Sequence, residues 1–118
     1  MSSSIQTNVK SYLSTAAIAA YVLVKKSGSN VVALDTEATD VAIGVTLENA
    51  AAGRPVAVRL LNGGGTALVK AAGAIAQNAA VRQLNTGLID DTGTTPIVGY
   101  AEEAATAAGD IIEVLLAQ

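Results

Sequence analysis

With neither histidine nor cysteine in the chain, its chemistry must rest on glycines, carboxylates, hydroxyls and a few cations. That removes Ser–His and Cys–His nucleophiles, zinc sites built on imidazole or thiolate, and the side chain best suited to proton transfer near neutral pH. The run LNGGGTAL, Leu61 to Leu68, has the glycine density of a phosphate cradle. Such a loop needs Lys and Ser or Thr after its last glycine and a helix N-terminus to present its N–H groups. Here Gly65 is followed by Thr66, Ala67 and aliphatic residues, so a turn between strands is expected. The carboxylates Asp35, Glu37 and Asp40, the pair Asp90-Asp91 and the pair Glu102-Glu103 all stand beside turn residues. Neighbours along a strand point to opposite faces, so these pairs do not converge as an acid and a base; they are expected at solvated loop edges. The spaced acids of a calcium loop are absent, and Ser2, Ser3 and Ser4 have no base to activate them. No catalytic residue, metal or cofactor is expected.

The elements that would position these groups read as strands. A length of 118 residues suits one domain, and 51% apolar content without Trp or Phe calls for a core of Val, Leu, Ile and Ala. The longest apolar stretch, Ala16 to Val24, falls short of the ~18 residues a spanning helix needs, so no membrane partner is expected. A net charge of −3 with seven Lys and Arg offers no basic stripe for phosphates, so nucleic acid is not an expected partner.

From Tyr21 onward, short runs of β-branched residues alternate with turn chemistry. Tyr21 to Lys25 and Val31 to Asp35 flank Ser27-Gly28-Ser29-Asn30 as a hairpin. Further strands are expected at Val41–Leu47, Pro55–Leu61, Ala67–Lys70, Ala80–Leu84, Leu88–Asp90, Ile97–Ala101 and Ile111–Leu116. Lys25 and Lys26 read as guards against edge-to-edge pairing. Residues 1–20 differ: they are rich in Ser, Thr and Ala, with Ile5, Val9, Tyr12 and Leu13 at a spacing that also fits one helix face. An extended N-terminal arm that becomes ordered against a neighbour is the expectation, leaving 21–118 as the domain.

Inside that domain the sequence repeats. AIGVTLENAAAGRPVAVRLL, Ala42 to Leu61, aligns with IVGYAEEAATAAGDIIEVLL, Ile97 to Leu116, with one extra residue in the second loop. Gly44 meets Gly99, Glu48 meets Glu103, Gly53 meets Gly109 and Val58 meets Val114. A period of about 55 residues present twice implies a pseudo-twofold within one closed or nearly closed sheet, its two similar halves joined at the glycine run, rather than a solenoid.

The segment NVVALDTEATDVAIGVTLENAAAGRPVAVRLLNGGGTALVKAAGAIAQNAAV resembles the capsid decoration, or cement, proteins of tailed bacteriophages, the lambda-like head decoration family and its relatives among them. The resemblance is carried by the hairpin ending at Leu34-Asp35, the strand Ala42-Ile43-Gly44-Val45, the Ala/Gly loop before Val56-Ala57-Val58, and the small-residue loop AAGAIAQNAAV, Ala71 to Val81. Asn78 stands where such proteins often carry Gly. The resemblance implies a small all-β barrel or tulip-like domain with an N-terminal arm. It also implies a structural role on the outer surface of the virion's capsid, with the major capsid protein as partner and self-association as a homotrimer or a dimer. The arm residues Ile5, Val9, Tyr12 and Leu13 would then bind the capsid. Two other classes are weighed beside it. A carbohydrate- or surface-binding module would need an aromatic platform, for which only Tyr12, Tyr21 and Tyr100 are present. An enzyme would have to work with carboxylates alone.

Overall fold

A computed structural model describes residues 9–36, 38–61 and 64–116. Ten strands run through it: β1 (Val9–Leu13), β2 (Leu23–Ser27), β3 (Asn30–Ala33), β4 (Gly44–Thr46), β5 (Pro55–Leu60), β6 (Thr66–Lys70), β7 (Ala80–Gln83), β8 (Ile89–Asp90), β9 (Ile97–Ala101) and β10 (Ile111–Leu116). A 3-10 turn, Asn85–Gly87, separates β7 from β8. The all-β expectation holds, but the strands form two antiparallel five-stranded sheets rather than one closed sheet, because each half pairs only within itself; both have the same internal order, β1-β5-β4-β2-β3 and β6-β10-β9-β7-β8. In each sheet the two edge strands approach at one parallel bridge, Ser14 to Val31 in the first and Ala71 to Ile89 in the second. Each sheet is thus curled toward itself around its own apolar face.

The repeat in the sequence is therefore a repeat of whole sheets, and it reaches further toward the N-terminus than the aligned residues. β1 is the counterpart of β6 although VKSYL and TALVK share no pattern. The connectors after them match in detail. Ile18 and Ala50 exchange two backbone hydrogen bonds of 2.9 Å, and Ile75 and Ala105 do the same at 3.0 and 2.9 Å. The N–H of Gly53 donates to Ser14 O, as that of Gly109 donates to Ala71 O. Residues 9–20, expected as an arm, thus pair within the chain. The spacing of Val9, Tyr12 and Leu13 that fits a helix face belongs to a strand, with Val9 and Leu13 on one side and Tyr12 on the other.

Strand alternation divides the core. Val24, Val31, Val56 and Val58 line the inner face of the first sheet and are buried with Ile18 and Val22. Val69, Val81, Ile89, Ile112 and Val114 do the same in the second, with Ile75 as the counterpart of Ile18. The strand glycines show why side chains are excluded at two equivalent places. A Cβ on Gly44 would stand 2.6 Å from Arg59 O, and one on Gly99 would collide with Leu115 O. β4 and β9 pass that close to the following strand, a separation no Ala would permit.

Two halves are held together across the connector at Leu61 to Thr66. Leu23, Leu34, Val45 and Leu61 of the first half lie in the same buried cluster as the core of the second. Lys70 N–H donates to Tyr21 O (2.8 Å), Thr86 N–H to Leu34 O (2.7 Å) and Gln83 Nε2 to Asp40 O (2.7 Å). Gly64 and Gly65 take φ of 68° and 77°, and Arg59 reaches over them, its Nη2 donating to Gly64 O and, at 3.2 Å, to Thr66 O. The glycine run is thus a strapped joint between halves, as its position in the repeat implies.

Candidate functional site

Several carboxylates, among the residues richest in chemistry, are fastened to backbone N–H groups of their own or adjoining loops. Asp40 accepts from the N–H groups of Asp35 (2.9 Å) and Thr36 (2.7 Å) and from Lys25 Nζ (3.2 Å), while Lys25 also pairs with Asp35. The Thr36 N–H is the main influence holding the Asp40 carboxyl below the ordinary carboxylate value, with Asp35 N–H and Lys25 adding to it. Hydrogen bonding to Asp35 first, and to Asp40 second, raises Lys25 above the ordinary lysine value. In the second half Asp110 accepts from Thr106 N–H and Oγ1, both at 2.8 Å, and from Ala107 N–H at 3.3 Å, and the Thr106 N–H most of all pulls its pKa down.

Glu48 and Glu103, aligned in the repeat, have one job: each accepts a backbone N–H from the strand that follows its loop, Ala57 at 3.1 Å and Glu113 at 2.9 Å. Asp90 accepts from Asp91 N–H at 2.8 Å. Among the described residues no three carboxylates come together in a way that could hold a metal ion. Glu37 lies outside the described residues. Asp40, Glu48, Asp90, Glu103 and Asp110 are more than solvated edges: each satisfies a backbone donor that its short turn or the following strand leaves over.

Lys25 and Lys26 do not stand on a sheet edge, since β2 lies between β4 and β3. Lys25 belongs to the Asp35–Asp40 cluster, and Lys26 stands 5.0 Å from the centroid of the Tyr12 ring, with Lys10 at 5.2 Å. A concavity of about 740 Å³ runs open beside the first hairpin, lined by Ala16 to Ala19, Val22, Val32 to Leu34, the Lys25–Asp35 pair, Lys26, Ser27 and Thr86. Its walls are mostly small and apolar, and the Lys25–Asp35 pair is spent on itself.

Of the four residues expected to bind a capsid, Ile5 lies outside the described residues. Tyr12 is half-buried against the first core, beneath Lys10 and Lys26. Val9 and Leu13 stand exposed, at 45% and 48%, on the outer side of an edge strand. The structure does not bring all of the expected residues to one surface: Tyr12 points opposite to Val9 and Leu13.

A different apolar surface escaped the sequence reading. On the outer face of the second sheet, Leu68 of β6, Tyr100 of β9, and Ile111 and Leu115 of β10 are each between 43% and 46% exposed. The register sets Leu115 opposite Tyr100 and Glu113 opposite Leu68, so they share one continuous face. The run Ile111 to Leu116 does hint at it, because Ile111 and Leu115 stand in the opposite phase to Ile112, Val114 and Leu116, and only one phase can face the core.

An all-β chain of two similar sheets, with loop-fastening acids and exposed apolar sheet surface, has the character of a protein that binds other proteins. The family model described as phage cement protein matches residues 7–116, nearly the whole chain. The chain belongs to the phage cement protein family. The match takes in both sheets and their connector, so it is the complete double-sheet unit that the family shares. No curated protein matches the chain. For a cement protein the natural site is a surface rather than a pocket, and the family places the chain among structural proteins of the phage capsid.

Proposed function

We propose that this chain is a non-catalytic virion protein that binds the major capsid protein on the outer surface of the mature capsid, stabilises adjacent capsomers there, and does so as a homotrimer. It would be made in the host cytoplasm and act on the assembled shell. The observation that supports the reading most is family membership across both sheets, joined to a site inventory in which acids and cations serve loops. The N-terminal segment, with Ile5, is assigned to the shell contact; chain preceding Val9 enters the fold at a sheet margin, and an added strand or apolar anchor there would gain main-chain hydrogen bonds and buried area. Val9 and Leu13 are exposed apolar side chains of that region, beside the exposed Lys10 and Ser11.

Because residues 9–15 are built into the first sheet, the informative truncation removes residues 2–8 only. Purified full-length protein should bind expanded capsids and raise the temperature at which they open, while the truncated protein should bind at least ten-fold more weakly with its fold intact. Equal binding by the truncated protein would remove the assignment to the N-terminal segment, and no binding by the full chain would remove the cement role.

A further inference from the structure

The repeat supplies its own test of which surfaces are meant to be covered. On the outer face of the first sheet Leu23 and Val45 are fully buried, because the second half lies over them. β6 packs beside β4 there, Lys70 N–H donates to Tyr21 O at 2.8 Å, and Arg59 on the same face donates to Thr66 O at 3.2 Å. The equivalent outer face of the second sheet carries Ala80, Tyr100 and Leu115 at the positions of Leu23, Val45 and Arg59. There Tyr100 and Leu115 are exposed, and Leu68 and Ile111 beside them extend the open apolar surface.

Both parts of the internal contact have a free counterpart. The counterpart of β6 is β1, whose outward side chains Val9 and Leu13 are exposed. In β1 the Ser14 N–H is the one turned toward β5, donating to Arg54 O at 3.0 Å; alternation therefore aims the Leu13 N–H off the sheet edge, as it aims Lys70 N–H toward Tyr21. The counterpart of Tyr21 is Asn78. The two residues share a left-handed backbone, φ 63° and 71°, and each donates its N–H into its own sheet, to Thr46 O and Ala101 O, both at 2.8 Å. The turn that presents the Tyr21 carbonyl to β6 is thus reproduced at Asn78.

We infer that the outer face of the second sheet is an interface for a second copy of this chain, whose β1 lies against β9 as β6 lies against β4 within one chain. In that contact Leu13 N–H of the incoming copy donates to Asn78 O, and its Val9 lies beside Leu115, as Thr66 lies beside Arg59. Donor and acceptor surfaces differ, so the contact is head-to-tail, and in the homotrimer of the cement reading it would close copies into a ring in which sheets of the two kinds alternate. The proposal deepens the self-association in the cement reading and leaves the shell contact to the segment before β1. It is measured without capsids, so its failure is separable from failure to bind a shell.

The chain's lack of cysteine makes the test direct. Leu115→Cys and Val9→Cys proteins, mixed and mildly oxidised, should form a disulfide-linked pair, and neither should cross-link alone. Light scattering should give the wild type a multiple of 11.7 kDa, and Tyr100→Glu with Leu115→Glu a single-chain mass with an unchanged strand signal in circular dichroism. A wild type of single-chain mass, a Leu115→Cys protein that cross-links to itself, or a mixture that does not cross-link would each overturn the proposal. If the double Glu variant does not fold, the cysteine mixture still decides.

Discussion

The first half, residues 9–61, and the second, residues 64–116, have one strand order and one set of loop closures, yet they solve two problems differently. The first concerns the outer face: Leu23 and Val45 are sealed under the second half, whereas Ala80 and Tyr100 at the same positions are not. The second concerns the loop before the fourth strand of each sheet. Lys25 holds it through the carboxylates of Asp35 and Asp40, while Arg82, its counterpart, donates to the backbone carbonyl of Thr95. What the halves share is therefore backbone logic, and what distinguishes them is what each presents to the next unit. A duplicated sheet keeps the contacts it needs to close, and its outward side chains are free to diverge.

Three measurements bear on that comparison. The largest effect is expected where the halves are alike: Gly99→Ala and Gly44→Ala should each lower stability by about 3 kcal/mol, since either Cβ meets the carbonyl of the neighbouring strand. Denaturant unfolding should give similar losses for both, and a tolerated alanine at one site alone would show that the sheets are not packed equivalently. Next, Val45→Ala should cost about 2 kcal/mol by opening a cavity between the halves, while Tyr100→Ala should cost little in the isolated chain. The same unfolding series separates them, and equal losses would mean that the second outer face is not open.

The smallest effect is the pH response. Asp40 and Asp110 have lowered pKa values, so each contributes stability above the ordinary carboxylate value of 3.8 that is lost as pH falls through its folded-state value. Lys25 has a raised pKa, so its contribution is complete below 10.5 and lost as pH rises through the folded value. Acid should therefore loosen loops in both halves, and alkali only the loop at Asp35 and Asp40, because the carbonyl held by Arg82 does not titrate. Amide chemical shifts of Thr36 and Thr106 followed across pH would report each loop separately.

Most of this architecture was legible in the chain because it rests on residue types with few alternatives. Gly44, Gly53, Gly99 and Gly109 mark the close approaches and left-handed turns, and Val56-Ala57-Val58 and Ile111 to Leu116 alternate as strands do. β1 was not legible as the start of a repeat, since VKSYL is fixed by pairing with β5 and by the buried Ser14 rather than by its own pattern. The outer face of the second sheet was hidden for a related reason. Leu68, Tyr100, Ile111 and Leu115 cannot be assigned to a face until register shows that the opposite phase of each strand already fills the core. The acids were placed correctly beside turns, but their partners are backbone N–H groups, which no side-chain pattern reveals.

No strand of β1 to β5 pairs with any of β6 to β10. A ribosome synthesising this chain therefore delivers every partner of the first sheet before Thr66 is made, and that sheet can close on the nascent chain. Until the rest emerges, Leu23 and Val45 are left wet on its outer side. Translation rate through the second half accordingly sets how long a sticky half-molecule is exposed, and slowing it should raise aggregation during synthesis.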